Sequence, residues 1–126
     1  MSELGEIIAE RRIAVTGRAG DTSEVIVRFG KPHPDPLSTN GDWCCPFQIH
    51  GLGDDSVEQA FGVDSLQALL LAVWSVRLQL ADRAEQNAVR LDWLEQTELG
   101  LHVVPDVVRL PPAPAGQRQE KEAGPG

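Results

Sequence analysis

Residues 64–86 read DSLQALLLAVWSVRLQLADRAEQ, and this stretch decides the fold. It is the one long segment with helical periodicity, and it holds the densest apolar run in the chain. Asp64, with Gln67 three residues on, has the spacing of a capping box, Asp standing in for the usual Ser or Thr. At about 100° per residue, Leu66, Leu69, Leu70, Val73, Val76 and Leu80 share one sector, the face expected against a sheet. Leu71, Trp74 and Leu78 form a second apolar stripe. The remaining sector carries Ala68, Ala72, Ser75, Gln79, Asp82 and Arg83. The apolar arc is wider than one sheet contact requires, so the second stripe needs a cover of its own.

The sheet is read outward from that helix. Residues 6–16 alternate, with Ile7, Ala9, Arg11, Ile13 and Val15 on one face, although Arg11 breaks the pattern. Residues 17–22, GRAGDT, turn the chain into a second strand over 23–30, whose inward face is Val25, Val27 and Phe29. Residues 31–41, KPHPDPLSTNG, read as a loop, because prolines at 32, 34 and 36 fix φ and remove donors. Strand character resumes over 42–50, with Trp43, Cys45, Phe47 and Ile49 on the core face. Pro46 makes this strand an edge, or bulges it there. A fourth strand over 57–63 is expected to turn Val57, Gln59 and Phe61 inward, since Glu58, Ala60 and Gly62 make a poor core set. After the helix, residues 88–94 alternate as a strand would. Residues 101–110 are apolar about Pro105, and this segment is expected to pack on the helix flank or on a neighbouring subunit.

These readings predict an α+β domain over residues 1–110. It is an antiparallel sheet of three to four strands in the order β-β-β-β, followed by one long helix on one face and an extended C-terminal segment. Residues 111–126, PPAPAGQRQEKEAGPG, hold no large apolar side chain and are expected to be a disordered Pro/Gly/charged tail. The predicted core comprises Val25, Val27, Phe29, Trp43, Cys45, Phe47, Ile49, Leu66, Leu69, Leu70, Val73 and Leu80.

Charge narrows the function. Acidic residues outnumber basic ones 19 to 11, for a net charge of −8. A nucleic-acid binder needs clustered Lys and Arg to displace counterions, so that class is set aside. A basic protein partner would be attracted. No basic leader precedes an apolar run, and Ser75, Arg77 and Gln79 interrupt the longest apolar segment, so no membrane span is expected. Cys44 and Cys45 are adjacent and form no disulfide framework. The chain reads as cytoplasmic with reduced thiols.

Candidate chemistry is sparse. No serine sits in a nucleophile elbow, no HExxH occurs, and GLG at 51–53 lacks the strand-before, helix-after context of a phosphate loop. Adjacent cysteines on a strand point to opposite faces, so both do not easily ligate one ion, and no CxxC spacing supports zinc. Neither a cofactor nor a metal is expected. His33, Asp35, Cys44 and His50 are the polar residues from which a site near the proline loop could be assembled. Asp54, Asp55 and Glu58 form an acidic patch suited to a basic partner.

The motifs Gly30-Lys-Pro-His-Pro-Asp-Pro36, Asp42-Trp43, Cys45-Pro-Phe47, Ile49, Gly51-Leu-Gly53, Gly62-Val-Asp64 and Gln67-Ala-Leu69 carry a resemblance. Over roughly residues 6–95 the chain is similar to a family of small uncharacterised bacterial proteins, a domain of unknown function. The resemblance implies a shared fold and assigns no activity, cofactor or catalytic residue. The function expected from the residues is a non-catalytic protein-interaction module that binds a protein partner or a second copy of itself through Leu71, Trp74 and Leu78. The alternative is a small-molecule or metal-dependent enzyme with a site near the proline loop and third strand.

Overall fold

A computed structural model describes residues 3–103. Six strands and one helix follow in the order β1 (Ile7–Thr16), β2 (Thr22–Gly30), β3 (His33–Pro34), β4 (Trp43–His50), β5 (Val57–Gly62), α1 (Ser65–Asn87) and β6 (Arg90–Asp92). The α+β class, the antiparallel pairing and the single long helix are as the sequence predicts. The sheet has more strands than the three or four expected. β4 lies inside it, with β5 on one side and β2, then β3, on the other. β1 pairs with β2, and β6 pairs with the last residues of β1, from Ala14 to Thr16. The segments expected over 104–110 and 111–126 lie outside the described residues.

Two expectations about strands are corrected by this topology. The proline loop does contain a regular piece, since His33 pairs with Cys44 and Pro34 with Trp43. Prolines favour extended φ, and a two-residue strand asks little more of them. Pro46, for its part, sits in an interior strand. The β2 ladder on β4 stops at Phe47 and the β3 ladder resumes at Cys44. Pro46 falls in the gap, where a missing N–H forfeits no cross-strand bond.

The helix begins and ends by local chemistry. Asp64 is the N-cap, and its carboxylate accepts the Gln67 N–H at 2.8 Å. The Gln67 side-chain oxygen reaches back to the Val63 N–H at 2.6 Å. The return bond thus lands one residue before the one a capping box would use. Ala88 closes the helix in the left-handed region at φ 55°, donating to the carbonyls of Ala84 and Glu85.

The packed face of the helix keeps Val76 and Leu80 of the predicted sector but is rotated toward Ala68 and Ala72, away from Leu66 and Leu70. The fully buried positions are Ala68, Ala72, Val76 and Leu80, one side chain per turn. Leu69, Leu71 and Val73 pack at the margins, and Leu66 is 60 % exposed. The cause lies across the interface. β5 turns Ala60 and Gly62 toward the helix, with Glu58 in the same phase, while Phe61 faces the other side at 55 % exposure. A Cβ on Gly62 would stand 2.6 Å from the backbone N of Ala68. Small residues on both surfaces bring the first turns of the helix close to the sheet, and that approach leaves no room there for Leu66 or Leu70. Those leucines are turned outward.

Beneath this seam the core matches the sequence reading of β2 and β4, with Trp43 only partly buried, but not that of β5. Ile13, Val25, Val27, Phe29, Cys45, Phe47 and Ile49 are all buried on the helix side. Each large side chain so buried contributes roughly 1.5–3 kcal/mol of transfer free energy. Leu91 and Leu101 complete the core beside β1.

Candidate functional site

The outward leucines make the first feature. Leu66, Leu70, Trp74 and Leu78 stand four residues apart, so they form one ridge along the helix, on the side away from Ala68 and Ala72. Leu78 is 47 % exposed, and Leu70 and Trp74 are partly exposed without belonging to the core cluster. Of the predicted stripe, Trp74 and Leu78 are on this ridge, whereas Leu71 packs against the core margin. Leu66 and Leu70, expected inside, take part in its place. From Ser65 to Ala81 the helix carries a single charged residue, Arg77.

The second feature is a cleft of about 550 Å³ on the opposite face of the sheet, between the proline loop and β5. It brings together His33, Asp35 and Cys44 from the predicted polar set. Cys44 and His33 are cross-strand partners, and the Cys44 Sγ lies 3.5 Å from both ring nitrogens of His33. His33 Nδ1 is 3.0 Å from the Pro34 carbonyl, which can only accept, so the neutral ring carries its proton there. In that tautomer Nε2 can accept a hydrogen bond from the thiol. Burial, and secondarily the Asp35 carboxylate, raise the Cys44 thiol. Burial pushes Cys45 up to about 11, with Cys44 adding to the shift. Both thiols are therefore protonated at neutral pH and poor nucleophiles. Cys45 faces the core, and its Sγ donates to the Gly30 carbonyl at 3.5 Å.

His50 is not part of this cleft. It lies at the other end of β4, where its Nδ1 meets Asp55 Oδ2 at 3.0 Å. Six steps along the strand, about 20 Å, separate it from Cys44. Among the described residues no group of three or more His, Cys, Asp and Glu side chains is placed to hold a metal ion.

The acidic trio is engaged within the chain. Asp55 Oδ1 accepts the Gly51 N–H at 3.0 Å while Oδ2 takes His50. Asp54 caps the Ser56 N–H at 2.9 Å, and hydrogen bonds from Ser56 hold its carboxyl below the usual range. Glu58 accepts from Gln79 at 3.1 Å and from Arg83 at 3.4 Å, and Arg83 also donates to the Asp54 carbonyl at 2.8 Å. Arg83 thus ties the C-terminal half of the helix to the β4–β5 hairpin. Its place in the polar sector of the helix marked it as a surface residue, and nothing local in the sequence pointed to Glu58.

Arg11 also escaped the sequence reading. The residue that broke the alternation of the first strand stacks on Trp93, 3.8 Å from the ring centroid, and donates to the Leu99 carbonyl at 2.9 Å. It anchors the segment after β6 to the open part of the β1 edge. The irregularity in the alternation was the available signal.

A family model described as a domain of unknown function (DUF6968) matches residues 9–103. The chain belongs to this family. The match runs from β1 to the last described residue, so the helix ridge, the small-residue seam and the cleft all lie within the family's domain. No curated protein and no solved structure matches the chain. Among the described residues no helix is long and apolar enough to cross a membrane.

Proposed function

We propose that this member of the family is a non-catalytic interaction module whose partner is a second copy of the chain. The observation that carries the reading is the ridge Leu66–Leu70–Trp74–Leu78. Contiguous apolar surface of this kind marks association sites, and Trp is enriched where such sites bind. Two such ridges fit by the packing of i±4 rows, the commonest helix–helix class. Run antiparallel about a two-fold near Ala72, Leu66 of one copy meets Leu78 of the other, and Leu70 meets Trp74. The surface also suits self-association electrostatically. In a chain of net charge −8, this is a face without acidic residues between Ser65 and Ala81.

Cross-linking tests both the partner and the orientation. The double variant Leu66→Cys/Leu78→Cys, treated with a short bismaleimide, is expected to give a covalent dimer, since Cys44 and Cys45 are buried. Either single variant should give little. A double variant that stays monomeric under the same treatment would contradict the arrangement.

The cleft favours a second reading, an enzyme site at His33, Asp35 and Cys44, because these groups converge in a concavity. What weighs against it is that the thiol is raised rather than lowered, which is the wrong direction for a nucleophile.

A further inference from the structure

The cleft carries a chemistry that the helix ridge lacks. Its lips are Pro36, Leu37 and Phe61, and Leu37 is 89 % exposed. Its floor is polar, with Cys44 under His33 and Asp35 beside them. Glu58 also borders the cleft, but its carboxylate is taken up on the helix side by Arg83 and Gln79. Asp35 is different. One of its oxygens accepts the Leu37 N–H at 3.0 Å, and among the described residues it forms no ion pair. Asp35 and Cys44 line the same cleft.

An aromatic face, aliphatic walls and one unmatched carboxylate are complementary to a side chain with an apolar stem and a planar cationic head. We infer that this cleft binds an arginine side chain from a basic segment of a partner protein. The methylenes lie against Leu37 and Pro36, and the guanidinium stacks on Phe61 while its N–H groups donate to Asp35. Arginine suits the site better than lysine, because a guanidinium is planar, is more weakly hydrated and matches a carboxylate with two parallel bonds. The net charge of −8 draws basic segments toward the surface, and the cleft supplies the place where one is held. The site lies on the sheet face opposite the helix, so it stands or falls separately from self-association.

Amide NMR of the full chain titrated with a tri-arginine peptide tests the inference. Saturable shifts are expected at His33, Asp35, Cys44 and Phe61, with weaker binding of tri-lysine and none of tri-glutamate. Asp35→Asn keeps the acceptor for the Leu37 N–H, so the loop should hold while affinity falls by about tenfold or more, as loss of a charge-assisted bond requires. Phe61→Ala, an exposed site, should weaken arginine binding and narrow the gap to lysine. Shifts spread over every acidic stretch and unchanged by either variant would overturn the proposal, since they would report general charge attraction. So would the absence of saturable binding.

Discussion

At Gly62 the helix backbone lies too close to the sheet for a side chain, and the rotation of the helix follows from it. A side chain there would meet the backbone of Gln67 and Ala68, which have no rotamer to yield. Gly62→Val should therefore lower stability by about 1–3 kcal/mol, the usual cost of overpacking, seen as a reduced urea midpoint. The same substitution at Gly53, where a Cβ would meet nothing within 4 Å but φ is 102°, would carry only backbone strain and separates the two causes. At Cys45 the prediction concerns pH. Its thiol is raised from 9.0 to about 11, so the unfolded chain gives up this proton first. The stability it supports is intact below about pH 9 and is lost as pH climbs toward 11, by up to about 3 kcal/mol. The chain has no tyrosine to titrate in that window. Urea midpoints measured from pH 7 to 11 should hold and then fall, and Cys45→Val should flatten much of the decline.

At the scale of elements, the strands and the helix were legible because each has a local cause. Alternation placed Val25, Val27, Phe29, Cys45, Phe47 and Ile49 on the core face, and they are buried there. Asp64 and Gln67 announced the start of the helix, and both side chains bond as caps. Asp64→Ala should cost about 1 kcal/mol, read by thermal or urea denaturation, because one helix-initial N–H loses its acceptor. What stayed illegible was relational. Hydrophobicity ranked Leu66 and Leu70 above Ala68 and Ala72 as core, yet the spacing between helix and sheet was set by Ala60 and Gly62 on another element. Phe61 outranked Ala60 by the same logic and faces outward for the same reason. His33 and Cys44 were each visible as reactive types. Only the pairing of β3 with β4 brings them together, and the length of β4 parts them from His50.

The whole molecule is a sheet with two surfaces of different character. One face is closed by the helix, whose outer ridge is apolar and nearly uncharged. The other holds a polar cleft with apolar lips. The acidic residues Asp54, Asp55 and Glu58 are bound into hairpin and helix contacts, which lowers their availability to a partner relative to Asp35. Self-association through the ridge is the central claim, and the mass of the full chain in solution tests it most directly. Size-exclusion chromatography with light scattering, run across a range of concentrations, should give twice the 13.7 kDa of one chain. Trp74→Glu and Leu70→Glu, which lie outside the core cluster, should return that mass to a single chain while leaving the circular dichroism unchanged. A wild-type chain that remains at 13.7 kDa at the highest concentration, or a dimer indifferent to both variants, would contradict the account.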